Sequence, residues 1–308
     1  SLPDPARLAH APWSLCVRGG TVSLIGGRTV GGRPLTDDQG VVVQGGAQAW
    51  LVWHNTRMRV TPKAARILSA DQPVPVDERW LNGLPQGPDF AAPAIPQQGQ
   101  QFAGPNNTLA PAGQIFHVAA IAGTQERYYV QLPDGLSSIS ETQARLLLDT
   151  PGANTPREIT PSAAASKPSR TNLHSRALPE SPPDTARYEP QQPLCAVYQQ
   201  TGKLSTDARF TIGGTVPSTS ATSQGLDQVL LPGGGTFAGT LSGPGQPLQT
   251  FALITDQGLR YPVPTTDDMA KLGYASDSAV PIPANLLQLF KEGPALTTTA
   301  ALRPVPAK

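Results

Sequence analysis

The chain has 308 residues, with 23 Lys plus Arg against 22 Asp plus Glu and a formal net charge of +1. That balance excludes the basic footprint of a nucleic-acid or anionic-lipid binder. With 34 prolines and 30 glycines, many turns and connectors between folded pieces are expected.

The longest apolar runs, 49–53 and 118–122, fall well short of the ~20 residues of a membrane-spanning helix. The opening SLPDPARLAHAPW has no basic stretch followed by an apolar one, so no signal peptide is expected. The chain reads as soluble, and it begins as a processed or trimmed polypeptide would.

In chain order, a first strand-like segment carries Cys16. Residues 21–25 follow, then Gly26-Gly27, then 41–43 and Gly45-Gly46. The spacing next predicts a hairpin, 50–53 and 57–60 around His54-Asn55-Thr56. A helix begins at Thr61-Pro62, with a Thr cap and Pro in the first turn. A second short helix follows in VPVDERWLNGLPQGP at 74–88, capped by Asp77.

Part of this pattern recurs from 127: a hairpin with its turn at 132–135, then a capping-box pattern at Ser140-Glu141-Thr142-Gln143. A helix resembling the first follows, and a faint second helix lies around 159–165. After Cys195 come 210–212, Gly213-Gly214, 229–231 and Gly233-Gly234. A third hairpin (251–254 and 259–263) and a helix from 265 to 272 then lead to VPIPANLLQLFKEGP at 280–294. That segment aligns without gaps on 74–88. Gly87 and Gly293 are expected where the second helices end, and Pro283 in a first helical turn.

These repeats predict an α+β fold: a central β-rich domain of two pseudo-twofold halves, flanked by hairpin-plus-helix modules, elongated overall. The expected division is core half A at 1–49, a module at 50–90, a Pro/Gln-rich linker at 91–113 and a module at 114–165. A linker at 166–193, core half B at 194–248, a module at 249–296 and a tail at 297–308 complete it. Cys16 and Cys195 are either buried free thiols or one disulfide; the twofold relation would bring them together and favours the disulfide, hence an oxidising compartment. Trp80, Leu81, Leu84, Leu286, Leu287 and Phe290 form apolar helix faces and are expected to meet partners.

Catalytic patterns are weak. Gly202-Lys203 lacks the upstream Gly and the following Ser/Thr of a P-loop, and Gly233-Gly234-Gly235 reads as a turn rather than a phosphate cradle. His10, His54, His117 and His174 lack metal-ligand spacing. Asp267-Asp268 reads as helix-start charge. Asn106-Asn107-Thr108 matches a glycosylation pattern inside a linker. Trp50, Trp53, Tyr128 and Tyr129 offer an alternative reading as glycan-stacking platforms, against a role inside the hairpins.

Several segments carry a family resemblance: LPDPARLAHAPWSLCV at 2–17, WHNTRMRV at 53–60, TDQGLRYPV at 255–263, LGYA at 272–275, VPIPANLLQLF at 280–290 and EGPAL at 292–296. Through them the chain resembles EccB of the ESX (type VII) secretion machinery of mycobacteria and related actinobacteria. The resemblance implies a short cytosolic N-terminus and one transmembrane helix, both outside this sequence. It also implies an extracytoplasmic, periplasmic region of four repeats around a central β domain. The first repeat would be missing here. Implied partners are EccC, EccD, EccE and further copies of the chain. Some members are described as ATP-hydrolysing, so ATP is a cofactor by resemblance only; no other cofactor and no metal is expected.

Overall fold

In the computed structural model, strand Trp13–Arg18 runs antiparallel to Leu194–Tyr198 and sets Cys16 directly opposite Cys195. All residues are described except 1–2, 5–6, 11, 69–71, 122, 200–206, 219–224, 242–244 and 303–308. The Gly202-Lys203 pair and the end of the expected tail lie outside the described residues. Cys16 and Cys195 occupy matching positions in the two halves. An antiparallel ladder that pairs them therefore puts the pseudo-twofold axis between them.

Thr21–Gly26 and Ala208–Ile212 flank this pair. The rims then exchange: Gln228–Leu230 of the second half lies beside Thr21–Gly26, and Arg33–Pro34 of the first lies beside Ala208–Ile212. One exchange is parallel and the other antiparallel, so the rotation relates the four inner strands but not the rims.

Three modules share one topology. In the first, Gln39–Gly45 leads into the hairpin of Gln48–Trp53 and Thr56–Val60. Helix Pro62–Ile67 follows, then Val74–Pro75 returns parallel to the lead strand, and helix Glu78–Asn82 closes the unit. The second runs Ile115–Val118, Arg127–Leu132, Gly135–Ile139, helix Glu141–Leu148, Arg157–Glu158 and helix Pro161–Ser166. The third runs Gly235–Leu241, Phe251–Thr255, Leu259–Pro262, helix Thr266–Lys271, Val280–Pro283 and helix Ala284–Leu287. The middle copy is thus complete, with a real second helix where the sequence showed a faint one.

Each first helix starts on a hydroxyl cap: Thr61, Ser140 and Thr265 accept from the backbone N–H three residues on. Ser140 adds the reciprocal bond from its own N–H to the Gln143 side chain, 3.1 Å. Ser140→Ala should lower the unfolding free energy by about 1–2 kcal/mol, measured by urea titration. A smaller shift than in Thr297→Ala, at the exposed last helix, would contradict this.

Four expectations are corrected. Residues 41–43 are not the match of 229–231: Gln39–Gly45 belongs to the first module's sheet, and its counterpart is Gly235–Leu241. The reason is burial on both faces. Val41 and Val43 enter the central core while Val42 enters the module's own cluster. Pro283 is the residue before the helix, not in its first turn. Gly87 and Gly293 do not end helices; their N–H groups bond the Arg57 and Arg260 carbonyls (2.9 and 2.8 Å) in returning bridges. A Cβ on Gly293 would lie 2.6 Å from the Tyr261 ring, so close approach selects glycine there.

The segments expected as linkers are also folded. Within 91–113, Gln101–Ala103 pairs with Leu109–Pro111, and Gly113 N–H bonds the Gln131 carbonyl at 2.9 Å. Within 166–193, the chain straps the middle module: Ser169 N–H bonds Leu136 (2.7 Å), Asp134 receives Ser169 and Arg170, and Gln143 binds Leu173. It then adds Asp184–Thr185 to the first module's sheet and buries Tyr188 in the central core.

Candidate functional site

The alternation of the central strands assigns each face a task. Leu15, Val17, Leu194 and Ala196 face the main core, whereas Cys16 and Cys195 face a smaller cluster with Ile25, Val30 and Val197. The two sulfur atoms are bonded, at 2.07 Å, closing a separation of 179 residues at the pseudo-axis. Both cysteines are buried.

The expected partner-binding face is used inside the chain instead. Trp80, Leu81, Leu84, Leu286, Leu287 and Phe290 are each at most 3% exposed and all belong to the central core. Trp80 Nε1 donates to the Leu15 carbonyl at 3.0 Å, and its ring meets Phe210 edge-on. Tyr198 Oη reaches the Gly83 carbonyl at 3.4 Å. Short helices cannot hold an amphipathic shape by themselves. Their apolar faces are stable only because the central sheet covers them, so sequence periodicity alone could not tell an inner from an outer face.

One polar cluster escaped the sequence. Arg79 bridges Asp77 and Asp227, with Nη2 2.8 and 2.9 Å from their carboxylates. Asp227 also accepts the Val22 N–H at 2.8 Å, so the first module's second helix is pinned to the opposite half of the central sheet. The only sequence signal was the Asp77 cap.

Hydrogen bonds from the Arg79 side chain hold the Asp77 carboxyl below its ordinary range, against the opposing effect of burial. The carboxyl is therefore more acidic folded than unfolded. Its contribution is complete above about pH 4 and is lost as pH falls through the lower folded value. Asp77→Asn keeps a capping side chain but removes the charge. It should cost about 0.5–1 kcal/mol at pH 7 for a pair only partly buried. Urea titrations should show the gap closing as pH falls below the ordinary carboxylate range; a gap independent of pH would contradict this.

The other flagged residues are dispersed. Trp50 is buried against the central core, while half-buried Trp53 stacks on His54 at 3.7 Å and donates to the Asp37 carbonyl. Tyr128 and Tyr129 are consecutive on one strand and point to opposite faces, so the four aromatics form no common platform. His117 pairs with Glu126 at 2.6 Å and His174 with Glu180 at 2.9 Å. Glu126, His174 and Glu180 line an open polar groove of 1240 Å³ on the middle module, which His117 does not. Asp268 receives the Thr265 hydroxyl and Asp267 pairs with Lys271, in keeping with a helix start. His10 and Asn106-Asn107-Thr108 join no site: Asn106 and Asn107 form the turn between Gln101–Ala103 and Leu109–Pro111.

The glycine run does not fit a nucleotide. A Cβ on Gly233 would sit 1.6 Å from the Arg7 carbonyl oxygen. The Gly234 N–H bonds Leu231 at 3.2 Å, so this N–H is used within the turn, and Gly233 and Gly235 are crowded by the Arg7 and Ile254 carbonyls. Among the described residues, no group of three or more His, Cys, Asp or Glu side chains is placed to hold a metal ion. None of their helices is long and apolar enough to cross a membrane.

Duplicated halves sutured by a disulfide, with the first and third repeat modules anchored on a shared core and the middle one on clusters of its own, define a structural repeat protein of the α+β class. Over residues 1–305 the chain matches the family described as Type VII secretion system ESX-1, transport TM domain B, and it belongs to that family. It is 29% identical over 302 residues to the ESX-3 secretion system ATPase EccB3 of Mycolicibacterium smegmatis, covering 87% of this chain and 57% of that protein. To the ESX-2 secretion system ATPase EccB2 of Mycobacterium tuberculosis it is 27% identical over 339 residues, covering 96% and 67%. The chain therefore spans little more than half of the first relative's length.

Its fold matches the EccB3 dimer from the ESX-3 core complex with a TM-score of 0.71 at 24% identity, over 96% of this chain and 83% of that one. The periplasmic assembly from the ESX-5 inner membrane complex gives 0.69 at 22% identity, over 100% and 82%.

Proposed function

We propose that this chain is the extracytoplasmic part of a structural subunit in an ESX-type (type VII) secretion membrane complex, on the periplasmic side of the inner membrane. The observation that carries the reading is the family match over nearly the whole chain, joined to a fold shared with subunits of such complexes. The buried disulfide supports the compartment, because such bonds persist in oxidising surroundings.

The two core halves form a rigid base, and the three modules and their straps present surfaces to EccC, EccD, EccE and further copies of the chain. A transmembrane helix preceding this sequence would anchor it. ATP hydrolysis, which the relatives' names carry, is the alternative; no described residue set supports it as strongly as the packing supports a scaffold.

The test uses the full-length protein, affinity-tagged in its host and solubilised from membranes with mild detergent. The expected result is a large species on native gels containing the other ESX membrane subunits. A tagged protein migrating alone contradicts the proposal. Magnesium-dependent ATP turnover by the purified chain, lost on one substitution, would favour the alternative.

A further inference from the structure

The three modules repeat one fold, so a feature present in one copy and absent from the others is not demanded by that fold. Their returning bridges give the alignment: Arg57 lies beside Gln86, Leu136 beside Pro168, and Arg260 beside Glu292. In the third module Arg260 is neutralised by Glu292, Nη2 to Oε2 at 2.7 Å. In the first, the facing residue is the uncharged and exposed Gln86. Among the described residues no carboxylate forms an ion pair with Arg57.

The Arg57 side chain is held in place nonetheless. Its Nη1 donates to Asn82 Oδ1 at 2.9 Å, its guanidinium carbon lies 4.8 Å from the Trp50 ring centroid, and its Nε, like that of Arg260, is buried without a partner. Arg59 approaches the same ring at 5.8 Å. The strand register matches Trp50 and Arg59 to Ala252 and Pro262 of the third module, so this cationic cluster over an indole belongs to the first module alone.

Trp50 and Arg57 line a 230 Å³ cavity between the hairpin and helix Glu78–Asn82. Glu78 also lines it, without pairing to Arg57. Burial, and then the charge of Arg59, depress the Arg57 pKa, which a counter-charge would relieve.

We propose that Arg57, on the wall of this cavity, is a docking subsite for a carboxylate side chain of a partner polypeptide, which pairs with it as Glu292 pairs with Arg260 in the third module. The internal copy supplies the template: a glutamate on a neighbouring backbone segment meeting the same arginine, with charge and geometry suited to a forked pair. The proposal deepens the subunit reading by giving the chemistry of one partner contact.

Fluorescence anisotropy of labelled hexaglutamate with the purified chain tests it. Binding should weaken with salt, exceed that of hexaglutamine, and fall roughly tenfold or more in Arg57→Gln, while Arg260→Gln leaves it unchanged. Gln86→Glu is the decisive variant because it places a carboxylate within the chain as Glu292 does. It should keep the melting profile and weaken the peptide by a similar factor.

Undiminished binding in Gln86→Glu, or hexaglutamine binding as well as hexaglutamate, overturns the proposal. So does displacement by inorganic phosphate as effective as by unlabelled peptide, which would make the cavity a free-anion site. Each of these failures is read on the isolated chain and leaves the subunit reading, tested by complex assembly, intact.

Discussion

Replacing Cys16 and Cys195 together by alanine should lower the unfolding free energy by about 3–5 kcal/mol. The crosslink spans 179 residues, so in the chain-entropy description it removes a large share of the unfolded chain's freedom, an effect of about 5 kcal/mol at its upper end. The native state should change little. The strand pairs on either side of the bond are held by their own ladder, and alanine leaves no unsatisfied polar group on that buried face. The expected result is an unchanged far-UV spectrum, with a urea midpoint shifted strongly downward and a steeper slope, because the uncrosslinked denatured chain is less compact. Reduction of the wild-type chain should reproduce the shift. A midpoint within experimental scatter of the wild type would show that the halves hold together without the bond.

Truncating Trp80 should be as damaging by a different route. The side chain is fully buried, packs edge-on against Phe210, and satisfies the Leu15 carbonyl of the central strand. Trp80→Ala should cost about 4–5 kcal/mol from lost burial and the cavity left behind, with the hydrogen bond to the Leu15 carbonyl lost in addition. Trp80→Phe separates the two contributions: it keeps most of the ring and loses the N–H, so about 1–2 kcal/mol is expected. Limited proteolysis should open first around the helix Glu78–Asn82, which Trp80 fastens to the central sheet. If Trp80→Ala were tolerated with under about 1 kcal/mol of loss, the residue would sit on a collapsible surface rather than in a core. Leu286→Asp with Leu287→Asp should likewise unfold the third module, not merely detach a partner.

Much of this architecture could be read from the residues. The gap-free match of 74–88 with 280–294 showed the repeat, the Thr and Ser caps marked the first helices, and the matching surroundings of Cys16 and Cys195 pointed to a symmetric pairing. These are local signals: hydrogen-bonding caps, turn glycines and apolar periodicity act over a few residues.

What the sequence concealed depends on distant packing. The strand carrying Val41, Val42 and Val43 is apolar on both faces because its sheet lies between two cores, and alternation cannot announce that. The strap at 166–193 combines backbone and polar contacts with widely spaced apolar anchors, Leu173, Leu178 and Tyr188, so it has no apolar period. The Arg79 cluster joins residues 148 positions apart. Arg57 looked like an ordinary strand residue until the third module showed a glutamate facing its counterpart, Arg260.

The clamped pseudo-twofold core is tested most directly by disulfide mapping. Unreduced protein, purified from an oxidising compartment and alkylated before digestion, should yield one crosslinked peptide joining the Cys16 and Cys195 segments, with no alkylated thiol. Recovery of both cysteines as separately alkylated peptides would contradict it.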